Sequence, residues 1–231
     1  MTKQKKFETP GSWAQYETLW LENYEAANYG KTLSGRILKN THSIIEADTR
    51  LAAHYDTVLE LGVGTMAHFS AVRHGFSRYI ASDHDAKVID WLKARNWDAR
   101  IDIQHLTGSS LPFPDNSVDR VIATHVLEHL PSPVAVLEEW VRVVRPGGVV
   151  SLILPCDPGL AWRFGRMLGP RRTARKAGLP YDYYMAVEHV NAIFNLRSII
   201  AHHFPDRSER WWPLRIPVPD VNLIYGVNCY L

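Results

Sequence analysis

Cysteine is scarce in this sequence of 231 residues, with Cys156 and Cys229 the only two. Two distant cysteines build no disulfide framework and match no metal-ligand spacing, so both read as reduced core residues of a cytosolic protein. Long apolar runs are missing as well: no stretch approaches the roughly 20 residues that a membrane-spanning helix needs. Nor is there an excess of one charge. Lys and Arg number 26 against 24 Asp and Glu, a formal net charge of +2, too mild to mark a nucleic-acid binder. Internal repeats and low-complexity segments are lacking too, which sets aside solenoids and disordered linkers. Residues 1–7 carry lysines with no apolar core behind them, so no secretory signal is expected.

What is present suits one folded domain, with or without an inserted cap: 46% of residues are hydrophobic and 22% charged, enough for a full core. Its centre is the stretch from Thr57 to His68. A short apolar run, 58–61, is broken by Glu60 and followed at once by Gly62 and Gly64. This is the form of a buried strand turning tightly into a helix, and we expect that helix over 67–73. Glycines permit unusual backbone angles there and let a ligand lie against bare backbone, while a helix start offers unpaired N–H groups.

Around this stretch the pattern alternates. Ser12 can cap a helix over 13–27 with Trp13, Tyr16, Trp20 and Tyr24 on one face, and a second helical stretch covers about 33–50. Strands are expected over 58–61, 79–82, 99–103, 118–124 and 149–154, with helices over 87–95 and 134–144 between them. The last of these helices is stopped by Pro146-Gly147-Gly148, a turn without chemistry. Such alternation implies an α/β, Rossmann-like, mainly parallel sheet with helices on both faces and ligands at the carboxyl ends of the strands. Glu60, Asp83, Thr124 and Pro155 fall at such ends. Beyond residue 155 the regularity stops. Residues 156–190 read as an inserted substrate cap holding Arg163, Arg166, Arg171, Arg172, Arg175 and Lys176, with no acid from 163 to 176. A helix over 190–201 and late strands over 207–212 and 222–231 complete the chain.

Two cofactors compete for the glycine loop. Gly62-x-Gly64-x-x-Ala67 with Asp83 about 20 residues on fits a dinucleotide fingerprint. Glu60-Leu-Gly-Val-Gly-Thr65 equally fits an S-adenosylmethionine loop, departing from it at Met66, where a third glycine is expected. The segments downstream resolve the choice: Leu111-Pro-Phe-Pro-Asp-Asn-Ser-Val-Asp119, His125-Val-Leu-Glu-His-Leu130 and Arg142-Val-Val-Arg-Pro-Gly-Gly148. In this order they resemble the class I S-adenosylmethionine-dependent methyltransferases, in the small-molecule subgroup, over residues 57–155. The resemblance implies a seven-stranded sheet whose last strand, 222–231, is antiparallel and enters between strands 5 and 6.

It also implies roles. Gly62, Val63 and Gly64 admit the methionine and ribose parts of the cofactor, and Glu60 reaches its amino group directly or through water. Asp83 accepts from both ribose hydroxyls, and His84 lies along the adenine. The family's usual adenine-contacting aspartate is absent, so Ser109 or a backbone carbonyl serves. Thr124 and His125 border the methionine end. His189 is the candidate base, since an imidazole suits deprotonation of a hydroxyl or ammonium acceptor. Arg171 and Arg172 are candidates for an anionic acceptor. His125-x-x-Glu128-His129 also matches an inverted zinc-peptidase pattern. The pair begins where a strand ends, however, and Pro131 follows, so we read no metal site.

The expected organisation is an N-terminal helical lid (1–56), a cofactor core (57–155), the cap (156–190) and the end of the sheet (191–231). The expected activity is methyl transfer from S-adenosylmethionine to an O or N atom of a small, anionic or lipid- or sugar-linked acceptor in the cytoplasm. Nucleic acid is disfavoured as a partner, while peripheral contact with a membrane is compatible. An NAD-dependent oxidoreductase and a non-catalytic cofactor-binding protein stay open as alternatives.

Overall fold

The computed structural model describes residues 41–176 and 180–231. The helix expected over 13–27, its aromatic face and most of the lid region fall outside them. Of the stretch expected to be helical over 33–50, the described part holds only a short helix, α1 (Ser43–Glu46). Asp48 turns the chain there by accepting the N–H of Arg50 at 3.1 Å.

Seven strands follow: β1 (His54–Leu61), β2 (Gly75–Asp83), β3 (Ile101–His105), β4 (Val118–Thr124), β5 (Val144–Pro155), β6 (Arg207–Trp212) and β7 (Ile224–Tyr230). They form one sheet in the order β3-β2-β1-β4-β5-β7-β6. The first five strands in that order pair in parallel, and β7 runs antiparallel between β5 and β6. This is the seven-stranded arrangement that the family resemblance implied. Strand order reverses beside β1, where β2 lies on one side and β4 on the other, and in this architecture ligands bind at the carboxyl ends beside such a switch. Strand 5 begins earlier than expected: Val144 already pairs with Val118, and the Pro146-Gly147-Gly148 turn sits inside the ladder as an irregularity.

Alternation along the strands assigns the two faces. Leu59, Leu61, Val121, Ala123, Val150 and Leu152 point to one core, covered by α3 (Pro133–Val143) and α7 (Ile193–His203). Val58, Tyr79, Ala81, Ile122 and Ile153 point to the other, covered by α2 (Ala86–Lys93) and α1. α2 starts well because the Asp85 carboxylate accepts the N–H of Lys87 at 2.8 Å. Between β5 and α7 the expected cap consists of α4 (Leu160–Leu168), α5 (Pro170–Lys176) and α6 (Tyr181–Glu188). Both cysteines are free and buried, and burial pushes the Cys156 thiol up to about 12. Among the described residues, no helix is long and apolar enough to cross a membrane.

The second core is crossed by a seam of charge. Arg120, fully buried on β4, places Nη2 2.7 Å from Glu46 Oε1 and donates from Nε to Ser151 Oγ at 3.0 Å. Glu46 Oε2 accepts the N–H of Arg73, and His68 Nε2 lies 3.2 Å from Oε1. On β7, Asn228 donates to the Ile45 carbonyl at 2.9 Å and Tyr230 to Asp48 at 2.8 Å. A four-residue helix has no stability of its own, so these contacts, with Ile44 and Ile45 packed against Gly226, hold α1 to the sheet.

Burial works against the ionised form of Glu46, but His68 and then Arg120 outweigh it and hold the carboxyl down to about 2. The stabilisation this brings is complete above the ordinary value of 4.5 and is lost as pH falls towards 2. We expect Glu46→Gln to flatten that acid limb in urea unfolding followed by circular dichroism. Arg120→Met should cost about 3–5 kcal/mol by stranding the Glu46 charge, with most of that recovered in the double variant Arg120→Met/Glu46→Leu.

Candidate active site

The chain leaves β1 at Leu61 and folds back onto the end of β2. Val63 N–H donates to the Ser82 carbonyl at 2.9 Å, and Gly64 N–H to Asp83 Oδ2 at 3.0 Å. Gly62 and Gly64 have φ of +65° and +52°, angles that glycine adopts without strain. A side chain on Gly62 would also place its Cβ 2.4 Å from Val126 Cγ2. Met66, where the sequence lacks the family's third glycine, takes φ +65° itself and is buried.

That backbone overturns one expectation. No α-helix covers 67–73; only a single 3-10 turn, Phe69–Ala71, is present. Met66 takes a left-handed φ just ahead of the segment, and His68 is drawn into the core beside Glu46. Polar donors at this loop are therefore its own N–H groups rather than a helix terminus.

The other residues singled out in the sequence divide into two groups. Asp83 is buried at the end of β2. Its Oδ1 accepts the N–H of Asp85 at 3.0 Å and lies 3.3 Å from His84 Nδ1, while its Oδ2 accepts from Gly64. Burial opposes its ionisation, but these donors, led by His84, hold it below the ordinary carboxylate value. A carboxylate has about four acceptor positions, so one remains for a ligand hydroxyl in this geometry. Thr124 closes β4 and is buried, and His125 follows at φ +59° with its N–H donated to the Ile153 carbonyl at 2.8 Å. These residues gather where β1, β2 and β4 end.

Glu60 does not join them. It shares the parity of Val58, so its carboxylate lies beneath the sheet with no exposure, accepting the Tyr79 hydroxyl at 2.5 Å. Burial pushes its carboxyl above the ordinary value. The expected contact with a cofactor's amino group is thus not offered in this geometry; Glu60 supports the loop from below. The His84 side chain is 80% exposed and stands beside Asp83 rather than in a wall. Ser109 is exposed on the 107–110 loop, which Trp140 anchors by donating to the Gly108 carbonyl at 2.7 Å. Arg171 pairs with Asp182 of α6, and Arg172 is exposed.

At the carboxyl ends of β4 and β5 lies a cluster that the sequence reading resolved only in part. His189 Nδ1 stands 2.8 Å from Asp157 Oδ2, and Arg166 Nη1 lies 3.1 Å from the same oxygen. Burial opposes ionisation of Asp157, yet His189 and Arg166 hold it below the ordinary value. A groove of about 340 Å³ opens here, lined by Asp157, Arg166, Met185, His189 and Asn191. Asn191 fastens the cap to the β4 loop by donating to the Leu127 and Leu130 carbonyls at 3.1 and 2.6 Å. Asp157 was missed, although its place just after strand 5 was a signal, since strand ends carry ligands in this architecture. Glu128 was noted only as part of a pattern.

The H-x-x-E-H spacing does not act as a helical pair. Residues Leu127–His129 form a 3-10 turn, so His125 turns towards His42, with ring centroids 6.4 Å apart. His129 instead meets His189 edge to face at 5.0 Å.

The arrangement fits an adenosyl ligand: a carboxylate closing β2 with an acceptor position to spare, and a glycine loop held against it at the strand switch. Comparison with known proteins agrees. Residues 59–152 match the methyltransferase-domain family. A methyltransferase of Mycobacteroides abscessus is 30% identical over 181 residues, covering 70% of each chain. Among solved structures, a Haloferax volcanii methyltransferase in complex with the Trm112 methyltransferase activator superposes with a TM-score of 0.60 at 14% identity, covering 94% of this chain and 96% of the other. The [4+2]-cyclase SpnF superposes with a TM-score of 0.62 at 14% identity, covering 94% and 93%.

The loop geometry makes a direct prediction. Gly62→Ala meets both a left-handed φ and Val126, and should lower stability by about 1–3 kcal/mol in thermal melts. Gly62→Ala/Val126→Ala should recover the steric part and leave the backbone part, and full recovery would contradict the strained φ.

Proposed function

Since the chain belongs to the class I S-adenosylmethionine-dependent methyltransferases, we propose that it methylates an oxygen or nitrogen of an acceptor that is anionic and carried on a lipid or sugar. The family's cofactor is S-adenosylmethionine rather than a nicotinamide dinucleotide, and in our reading it lies at the glycine loop. S-adenosylmethionine supplies the methyl group as an electrophilic sulfonium, so the protein's work is orientation and proton handling.

In this reading Gly62, Val63 and Gly64 present backbone to the methionine and ribose, and Asp83 takes a ribose hydroxyl. His84 and Ser109 border the adenine, and Thr124 with His125 border the methionine end. Glu60 acts through Tyr79 and the strand beneath the loop. The acceptor then enters over the groove beside β5. His189, held at Nδ1 by Asp157, keeps Nε2 as a lone pair that can receive a proton or hold a cation.

One observation carries the acceptor class. On α4, Leu160, Phe164, Met167 and Leu168 fall on one helical face and are all more than half exposed. Leu214, Ile216 and Val218 extend the exposed apolar surface in the segment before β7. Apolar surface gathered in this way marks a contact with a ligand, a lipid or a partner. Interleaved with it are Arg163 and Arg166, with Arg171, Arg172, Arg175 and Lys176 on α5. Apolar surface flanked by cations suits a molecule with an anionic head and an apolar body, or the head-group layer that holds it.

Titration calorimetry tests the donor: S-adenosylhomocysteine should bind and NAD should not. Asp83→Ala should weaken that binding by about 10–100-fold, the effect of one charge-assisted hydrogen bond. With tritiated donor, label should partition into the organic phase of a lipid extract. Arg171→Glu/Arg172→Glu should raise the acceptor KM and leave donor affinity unchanged. Unchanged acceptor kinetics in that variant would reject the anionic acceptor.

A further inference from the structure

We propose that Glu128, His129 and His189 form a binding site for a divalent transition-metal ion of the zinc class at the carboxyl ends of β4 and β5. One ligand atom from each of the three lies within 4.8 Å of the other two. The residues come from different elements: Glu128 and His129 from the 3-10 turn after β4, and His189 from the residue after α6. Asn191 ties those two segments together, its N–H donated to the Glu128 carbonyl at 3.1 Å.

Three further features point to a cation. His129 Nδ1 lies 2.8 Å from the Glu188 carbonyl. A carbonyl only accepts, so Nδ1 carries the proton and Nε2 is a lone pair. His189 Nδ1 lies 2.8 Å from the Asp157 carboxylate, which fixes the same tautomer. An imidazole donating from one nitrogen to a carbonyl or carboxylate is the usual state of a metal-bound histidine, whose other nitrogen faces the ion. The third feature is Glu128 itself. Its side chain is 2% exposed, and among the described residues neither oxygen accepts a hydrogen bond. His125 Nδ1 at 3.6 Å and His129 Nε2 at 3.9 Å are its nearby cation-capable groups. A buried carboxylate without hydrogen bonds is costly, and a bound cation removes that cost.

The donor set selects the ion. Two imidazoles and one carboxylate suit zinc, iron, manganese or cobalt, whereas calcium and magnesium take oxygen ligands. Tetrahedral zinc with bonds of about 2.1 Å places its ligand atoms about 3.4 Å apart, so a modest contraction closes the site. Three protein ligands leave a further position open. The His129 side chain is 35% exposed and Glu188 beside it 38%, so the position is reachable from solvent, next to the groove. His189 then serves as a ligand rather than as a proton acceptor, and the open position suits an oxygen of the acceptor. That last assignment rests on the methyl-transfer reading; the metal site does not.

The test uses the untagged full chain, stripped with chelator and titrated with cobalt(II). Visible d–d absorption should appear with one equivalent bound, and zinc should displace it. Glu128→Gln, His129→Ala and His189→Ala should each weaken binding at least tenfold, while His203→Ala, on the exposed end of α7, should bind normally. Because an alanine variant can lose its fold, the near-isosteric Glu128→Gln carries a second readout. Zinc should raise the melting temperature of the wild-type protein and not that of Glu128→Gln. Absent absorption, or affinity unchanged in all three variants, would overturn the site. Metal binding with methyl transfer indifferent to chelator would keep the site and overturn acceptor ligation. Failure of S-adenosylhomocysteine to bind would overturn the methyl-transfer reading alone.

Discussion

The hydrogen bond from Gly64 to Asp83 joins the two strand ends on which the rest of the site is built. It brings the turn after β1 over the end of β2, and the turn makes that return with positive φ at Gly62, Gly64 and Met66. Behind the loop stands a single 3-10 turn, Phe69–Ala71, in place of a helix. What the loop offers a ligand is consequently backbone and one carboxylate, already ionised and already oriented. The price of that orientation is acceptor capacity: three donors stand around Asp83 before any ligand arrives. Such preorganisation reduces what a ligand's own hydrogen bonds must spend on ordering the site.

Under the same loop lies a constraint of another kind. Glu60, Arg120, Ser151 and Asn228 stand on β1, β4, β5 and β7 and face the second core. Moving β4 by one residue would turn Arg120 into the apolar core on the other side, where nothing could pair it. The seam thus specifies register more than it adds stability, because a buried ion pair roughly offsets its own desolvation. It also fixes the approach to the site. α1 hangs from Arg120, Asn228 and Tyr230, and the chain immediately before it places His42 beside His68 and His125.

The frame of the fold could be read from the sequence because its signals are local. β4 and β6 have the bounds read for them, 118–124 and 207–212, and β7 lies within the residues 222–231 given to the last strand. The segment 67–73 could not be read, since its residues tolerate a helix and the veto comes from Met66 and from the pull of Glu46 on His68. Glu60 was misplaced for a related reason. Its position at a strand end was legible, but parity buries it with Val58. Arg120 and Glu46 are far apart in the chain, and neither carries a mark of burial. The histidines show the same limit: H-x-x-E-H suggests a pair four apart on a helix, but a 3-10 turn separates them. The partner of His129 is His189, across the cap.

Asp157 links the chemistry to the way an acceptor arrives. The single oxygen Oδ2 faces both His189, whose other nitrogen serves the cluster, and Arg166 on the exposed amphipathic helix. An acceptor whose negative charge engages Arg166 competes with Asp157 for that guanidinium. Asp157 would then keep its contact with His189 Nδ1, which holds the opposite ring nitrogen towards the cluster. Under the proposed function, the apolar ridge and the strand ends meet at this one carboxylate, through Arg166 on one side and His189 on the other.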